Sequence, residues 1–288
     1  MNPPCDICGS ESSFAFEKND YKLYRCGKCA HLFVSPTPTS EEIEAVYKES
    51  YFHKTEGEGG LGYADYDTDK AGLASTFDKY LVELEKLAPG KKILDIGAAT
   101  GFFLDRAKAK GWKTYGVEIS RFGADESNRR GHETVCGIIE DVPGEARFDV
   151  ITLWDVFEHM TDPKGAIEKA HTLLAPRGLV AINTVDSSSI PARLMGKKWH
   201  LVVPPEHLQY FSRESLKRAV EDAGFEVVTM HRITKRFSLA YIFTILYRWQ
   251  HLSLWRKLAE FSRRSILQKT HVPLQTFDNL YILGRKRE

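Results

Sequence analysis

The stretch ILDIGAATGFFL, Ile93 to Leu104, decides the fold. Apolar residues and an acid, Asp95, make a short buried strand, Gly97-Ala-Ala-Thr-Gly101 turns the chain, and a helix-compatible run begins at Phe102. Glycine at 97 and 101 lets the backbone turn tightly and approach a ligand where a Cβ would intrude. Strand end, turn and helix start together form a cleft at the carboxyl edge of a parallel sheet. The spacing is G-x-x-x-G, neither the dinucleotide G-x-G-x-x-G nor the phosphate-loop G-x-x-x-x-G-K. About twenty residues on, Thr114-Tyr-Gly-Val-Glu118 reads as a second strand ending in an acid, placed to bond both hydroxyls of a ribose. The competing reading is an α/β domain whose glycines only turn the chain.

These residues resemble those of class I S-adenosylmethionine-dependent methyltransferases, whose first motif looks like LDIGAATG and whose second strand ends in Glu or Asp. The resemblance implies that S-adenosylmethionine binds against Asp95, Gly97, Ala98, Gly101, Phe103, Glu118, Ile119, Ile139 and Trp154, with its ribose on Glu118. In many members an acid after the following glycine holds the adenine amino group. Here that position is Ile138, so the contact passes to backbone groups of Ile138 and Ile139, or to Glu140 or Asp141.

With 288 residues, 42% of them hydrophobic, the chain suffices for one α/β domain plus appendages. No apolar run follows a basic start, so no secretory signal is expected. The net charge of +1 argues against coating DNA. Residues 231–288 carry 12 Lys/Arg against 3 Asp/Glu, a balance of +9 on a body of −8, which points the tail toward an anionic partner or surface.

Cys5-x-x-Cys8 and Cys26-x-x-Cys29, seventeen residues apart, have four-cysteine zinc spacing. Gly9 and Gly27 follow Cys8 and Cys26 and relax each knuckle for amide-to-sulfur bonds. Phe14, Phe16, Tyr21, Leu23 and Tyr24 suit two short strands, too few apolar residues to fold without the metal. Four thiolates fill the tetrahedron, so the zinc is read as structural; a disulfide pairing is the alternative. Thiolate ligands imply a reducing compartment, the cytoplasm. RCGKCAHLFVSPTPTSEEIEAVY…SYF, within residues 25–52, resembles the zinc-ribbon front of a methyltransferase subset associated with sugar, polysaccharide and natural-product modification.

The expected organisation is a zinc ribbon (1–38), a linker helix and mobile loop (39–76), a core (77–232), a helical insertion (233–275) and the last core strand (276–288). In the linker, Ser40 caps a helix through about Tyr47, and Glu56–Tyr63 is a glycine-rich loop or lid. In the core, a helix over 77–87 precedes strands at 92–96, 114–118, 133–136, 148–154, 179–184, 225–230 and 279–283, with helices between. That alternation predicts a Rossmann-like, doubly wound seven-stranded α/β sheet. The resemblance adds that the seventh strand lies antiparallel beside the sixth. In the insertion, the apolar run Ser238–Tyr247 is too short to span a bilayer, and basic residues are interleaved with Trp249, Trp255 and Phe261. Such mixing suits a helix pair that packs on the sheet, forms a dimer or makes peripheral membrane contact.

Methyl transfer needs aligned partners and, for a hydroxyl or carbon acid, a base. Asp155-Val-Phe-Glu158-His159 follows the fourth strand, and Pro204-Pro-Glu206-His207-Leu-Gln-Tyr210-Phe211-Ser212 follows the fifth. The late Glu-His pair resembles the acid/base pair of zinc-ribbon sugar C-methyltransferases. The earlier motif resembles divalent-metal sites of ubiquinone-type and small-RNA O-methyltransferases, which implies a possible second divalent metal. Asp155, Glu158 and His159 share a face if helical. His207 is the favoured base, assisted by Glu206, with His159 and Tyr210 lining the acceptor pocket. Glu158 and His159 as hydrogen-bonded structural groups, and His207 as a mere positioner, are the plainer alternatives. His200 reads as lid packing and Cys136 as a small buried hydrophobe. The acceptor is read as a sugar, glycan or related small metabolite. An RNA acceptor is the alternative, argued against by the thin basic footprint of residues 1–40 (Lys18, Lys22, Arg25 and Lys28). An idle scaffold is a third reading, opposed by Gly97, Gly101 and Glu118.

Overall fold

The computed structural model describes residues 2–39, 42–43, 46–47, 71–233, 235–250, 252–264, 271–274 and 278–287. The expected lid Glu56–Tyr63 and the expected cap Ser40 lie outside them. The linker helix start carries a capping box on Thr39: its Oγ1 accepts from Glu42 N–H at 3.3 Å, and Glu42 Oε2 accepts from Thr39 N–H at 2.8 Å.

At the N-terminus β1 (Ser12–Lys18), β2 (Tyr21–Cys26) and β3 (Leu32–Val34) form an antiparallel ribbon. The aromatic run yields the two expected strands; the third is an addition, its residues all buried. The core opens with α1 (Ala74–Leu87), whose apolar positions Phe77, Tyr80, Leu81 and Leu84 are buried. Then come β4 (Lys92–Ile96), α2 (Phe102–Ala109), β5 (Lys113–Glu118), α3 (Arg121–Arg129), β6 (Glu133–Cys136), β7 (Phe148–Trp154), α4 (Pro163–Leu173) and β8 (Leu174–Val185). Ser120 caps α3 as expected, and Asp162 accepts from Gly165 N–H at 2.9 Å to cap α4 ahead of Pro163. The fifth strand starts earlier than its pattern suggests: Leu174 already pairs with Phe148, and the Pro176–Gly178 turn survives as a ladder irregularity with Arg177 at φ +61°.

The chain continues through α5 (Ile190–Met195), β9 (Gln209–Tyr210), α6 (Arg213–Asp222), β10 (Phe225–Arg232), β11 (Lys235–Ser238), α7 (Leu239–Gln250), α8 (Ser253–Arg264), β12 (His271–Leu274) and β13 (Asn279–Lys286). The central sheet runs β10-β13-β8-β7-β4-β5-β6. Its five strands from β8 to β6 are parallel, and β13 is antiparallel to both its neighbours. This is the seven-stranded sheet the alternation predicts. The insertion is a helical pair on a short ribbon of β11 with β12. Phe243 stacks on Trp255 at 6.0 Å between the two helices, while Leu254 and Phe261 stay exposed. No helix among the described residues is long and apolar enough to cross a membrane.

Residues 1–38 do not close a sheet of their own. β9, far along the chain, is its fourth strand, pairing Leu32 with Tyr210 and Phe33 with Gln209. Phe211, next to β9, is fully buried, stacks on Phe157 at 4.6 Å and meets His31 in a tilted contact at 4.8 Å. One apolar mass thus runs from Cys29 and Phe33 of the ribbon into Phe157, Phe211 and Leu216 of the core. Phe211→Ala is expected to cost about 3–5 kcal/mol of stability, the range for a large-to-small change in a shared core. Chemical denaturation reads it, and an unchanged midpoint would show that the two layers do not share that core.

Candidate active site

The Gly97 turn owes its shape to φ +73° at Gly97 and φ +88° at Gly101, a left-handed backbone that a side chain strains. The N–H groups of Gly97 and Ala98 both bond Val117 C=O, at 2.8 and 3.1 Å, so the turn is pinned across the β4–β5 edge. A Cβ at Gly97 would meet Val156 Cγ2 at 2.6 Å. At Gly101 the obstruction is internal: a Cβ would meet the His132 ring at 2.8 Å and Ser127 Oγ at 2.9 Å. Gly101 therefore serves helix packing.

Glu118 ends β5 and is buried. Its two oxygens accept from Ala99 N–H at 2.8 Å and Ser120 N–H at 2.9 Å, which fix the carboxylate while leaving each oxygen further acceptor capacity. Burial pushes its carboxyl above the ordinary range, and the two N–H groups and His159 oppose that rise.

A cavity of about 340 Å³ opens over this edge. Gly97, Glu118, Ile119, Ile139 and Trp154, five of the residues expected around the donor, line it. So do Ile138 and Glu140, while Asp141 Oδ2 accepts the Ile138 N–H at 2.9 Å and is committed to the turn. Asp95, Ala98 and Phe103 instead line a neighbouring hollow of about 20 Å³ with Phe77, Phe102 and Trp154, and Gly97 and Trp154 border both spaces. Asp95 is held there by Thr152 Oγ1, which donates at 2.6 Å. Among the wall residues not foreseen from the sequence are Ile43 and Tyr47, which reach the cavity from the linker. Their signal, a capped helix with apolar residues before the core, was present without a hint of where it docks.

The loop after β7 departs from the helical expectation. Phe157–His159 is one 3-10 turn, and Asp155, at φ +54°, accepts from Asn183 Nδ2, so Asp155 does not join Glu158 and His159 in a row. Glu158 turns inward to Thr184 Oγ1 at 2.7 Å, and burial raises its pKa. His159 lines the cavity. Its Nδ1 is 2.6 Å from Glu206 C=O, which only accepts, so Nδ1 carries the proton and the lone pair sits on Nε2. Tyr47 Oη, at 2.9 Å, is a second acceptor for that N–H. His207 follows the same logic, with Nδ1 at 2.8 Å from Leu201 C=O. The two rings meet edge to face at 4.8 Å, but His207 is buried behind His159 and does not line the cavity. Glu206 contacts His159 through its backbone carbonyl, and Tyr210 is wholly buried, donating to His207 C=O at 2.9 Å. Tyr210 thus supports the loop and does not face an acceptor. His200 is exposed, 3.9 Å from Asp278, and Cys136 is half-buried with its thiol 3.8 Å from Ile119 C=O. Donor atoms of Glu158, His159 and His207 lie within 4.8 Å of one another.

The four cysteines Cys5, Cys8, Cys26 and Cys29 converge, with sulfurs 3.5 to 3.7 Å apart across three pairs, and all are free thiols. A tetrahedral ion with metal–sulfur bonds of about 2.3 Å sets its sulfurs about 3.8 Å apart, so the cluster has the size of a zinc site. Lys28 and Cys29 N–H groups point at Cys26 Sγ at 3.3 and 3.4 Å. The Cys29 thiol draws Cys5 down to about 4 while Cys5 drives Cys29 up, so the cluster does not ionise fully without a cation.

A methyltransferase-domain family model matches residues 70–230, which is more than half the chain, and the chain belongs to that family: it is an S-adenosylmethionine-dependent methyltransferase. It is 26% identical over 174 residues to the ubiquinone biosynthesis O-methyltransferase of Pseudomonas aeruginosa, covering 52% of this chain and 73% of that protein. Among solved structures, magnesium protoporphyrin IX methyltransferase of Synechocystis PCC 6803 with bound SAH superposes with a TM-score of 0.52 at 12% identity, covering 80% and 90% of the two chains. Geranyl diphosphate C-methyltransferase of Streptomyces coelicolor gives 0.50 at 14%, covering 87% and 89%. At these identities the structural likenesses speak for the fold.

Gly97→Ala forces a left-handed alanine into Val156, and is expected to cost about 1–2 kcal/mol of stability for the backbone alone. Thermal unfolding and S-adenosylmethionine calorimetry should both show the loss. A variant unfolding and binding like the parent would show that the turn tolerates a side chain.

Proposed function

We propose that this methyltransferase acts on a hydroxyl or carbon acid of a sugar, glycan or related small metabolite. S-adenosylmethionine supplies an electrophilic methyl group on a sulfonium. In this reading Glu118 takes the ribose hydroxyls, Ile138, Ile139 and Glu140 border the adenine, and the methionine end enters beside Gly97, Asp95 and Trp154. Asp155 and Asp162 add negative charge to the wall, which suits a cationic donor. The observation that carries the acceptor side is the imidazole pair at the far wall, His159 in the cavity with His207 behind it, each with Nδ1 tied to a carbonyl. That tautomer leaves the lone pair on Nε2, where His159 would take the acceptor's proton as the acceptor receives the methyl group. His207 takes the supporting place. The sugar class rests on the ribbon's resemblance, and both O- and C-methyltransferases occur among the similar proteins. His159→Ala and His207→Ala are each expected to lower kcat by about 10²-fold with donor affinity unchanged. Near-normal turnover in both variants, measured on a responsive nucleotide sugar, would remove the imidazoles from the chemistry.

A second reading has its own observation. Glu158, His159 and His207 form a two-imidazole, one-carboxylate donor set of a kind that divalent ions use. In that case His159→Ala would lose activity that added Mn²⁺ or Mg²⁺ stimulates in the parent, whereas a metal-independent parent rate excludes the ion.

We also propose a structural zinc on Cys5, Cys8, Cys26 and Cys29. Elemental analysis of reduced, freshly purified protein should find one zinc per chain, and Cys26→Ser should lose it. Metal-free parent protein with intact activity would overturn the assignment.

A further inference from the structure

The loop Pro204–Ser212 carries His207 and has no regular structure beyond the two residues of β9. Such a segment fixes an imagined base only if something outside it holds the register. Gln209 supplies that hold at the point where three parts of the chain meet. Its Oε1 accepts from His31 Nε2 at 2.8 Å, in the ribbon. Its Nε2 donates to Asp6 Oδ2 at 3.3 Å, between the first two cysteines, and to Met160 C=O at 3.2 Å, beside His159. Both ends of the amide are engaged and Gln209 is 1% exposed, so the amide itself is out of reach of solvent. The same loop is tied at its start, where Asn19 Nδ2 donates to Pro204 C=O at 2.9 Å, and at its end, where Ser212 Oγ donates to Cys29 C=O at 2.8 Å. On the core side Leu208 N–H bonds Glu158 C=O at 2.8 Å.

We infer that Gln209 is a positioning residue, and that through it the cysteine module sets the His207 loop against the His159 loop. The inference rests on the imidazole reading above and goes beyond it. Removing the amide leaves His31 Nε2 unpaired in the interior and frees Met160 C=O at the cavity wall, and both loops relax to recover partners. His159 Nδ1 then loses its steady carbonyl, since Glu206 lies on the displaced loop.

Gln209→Met keeps the length and apolar stem and deletes only the amide. With zinc content measured first, kcat should fall about tenfold or more, because misplacing reacting groups by an ångström costs up to ~10²-fold. Donor affinity should stay within about twofold, since the donor wall is built by other strands. The spectroscopic signature is independent of turnover: imidazole ¹⁵N spectra of the parent should show His159 and His207 in the Nδ1–H form, and Gln209→Met should average the His159 signals toward both tautomers. A zinc-replete variant with parental kcat and parental ¹⁵N shifts overturns the inference. If instead His159→Ala and His207→Ala keep turnover while Gln209→Met shifts the spectra, the positioning stands and the imidazole reading fails. Should Gln209→Met lose its zinc, Asn19→Ala decides, because Asn19 is exposed at the β1–β2 turn, the end of that hairpin opposite Cys26. A kcat lowered about threefold or more at constant donor affinity supports the hold, and an unchanged kcat overturns it.

Discussion

Two residues of β9 carry more of this molecule than their length suggests. By pairing with Leu32 and Phe33 they turn an N-terminal module into the outer layer of the catalytic domain. A ribbon with so few apolar residues gains a shared core through Phe33, Phe157 and Phe211, and the core gains a rigid backing for a loop that no helix or long strand supports. The ladder itself is short; its stability comes from the burial on both sides of it. His207 and Glu206, whose carbonyl meets His159 Nδ1, lie on the loop that runs into that contact.

The side of the cavity formed by Gly97 and Glu118 is held differently. Its geometry comes from the parallel sheet, where β4 and β5 end at the same edge and the Gly97 turn bonds across to Val117. Glu118 is held at that edge by two backbone N–H groups, one from each side of the cleft. The two sides of the cavity are thus built by different parts of the chain and meet where Gly97 packs against Val156.

Much of this was legible in the chain. The alternating strands gave their boundaries within a few residues, because each is an apolar run flanked by turn chemistry. The four cysteines and Glu118 followed from spacing alone. What periodicity does not carry is long-range pairing: nothing in Gln209–Tyr210 distinguishes it from loop, and its strand character exists only because Leu32–Phe33 lies beside it. The same reason hid the order of the imidazoles. A Glu-His pair reads equally well with either His at the wall, and the 3-10 turn at Phe157–His159, which puts His159 in front, is set by tertiary packing. Gly101 is the converse case, where a ligand-like glycine answers to a neighbouring histidine ring.

A crystal structure with S-adenosylhomocysteine tests the central claim most directly. The ribose hydroxyls are expected within about 2.6–3.0 Å of Glu118, ordinary hydrogen-bond distances, with the homocysteine chain beside Gly97 and its sulfur open toward His159. A product bound elsewhere, or one whose ribose leaves Glu118 bonded only to Ala99 and Ser120, would contradict it.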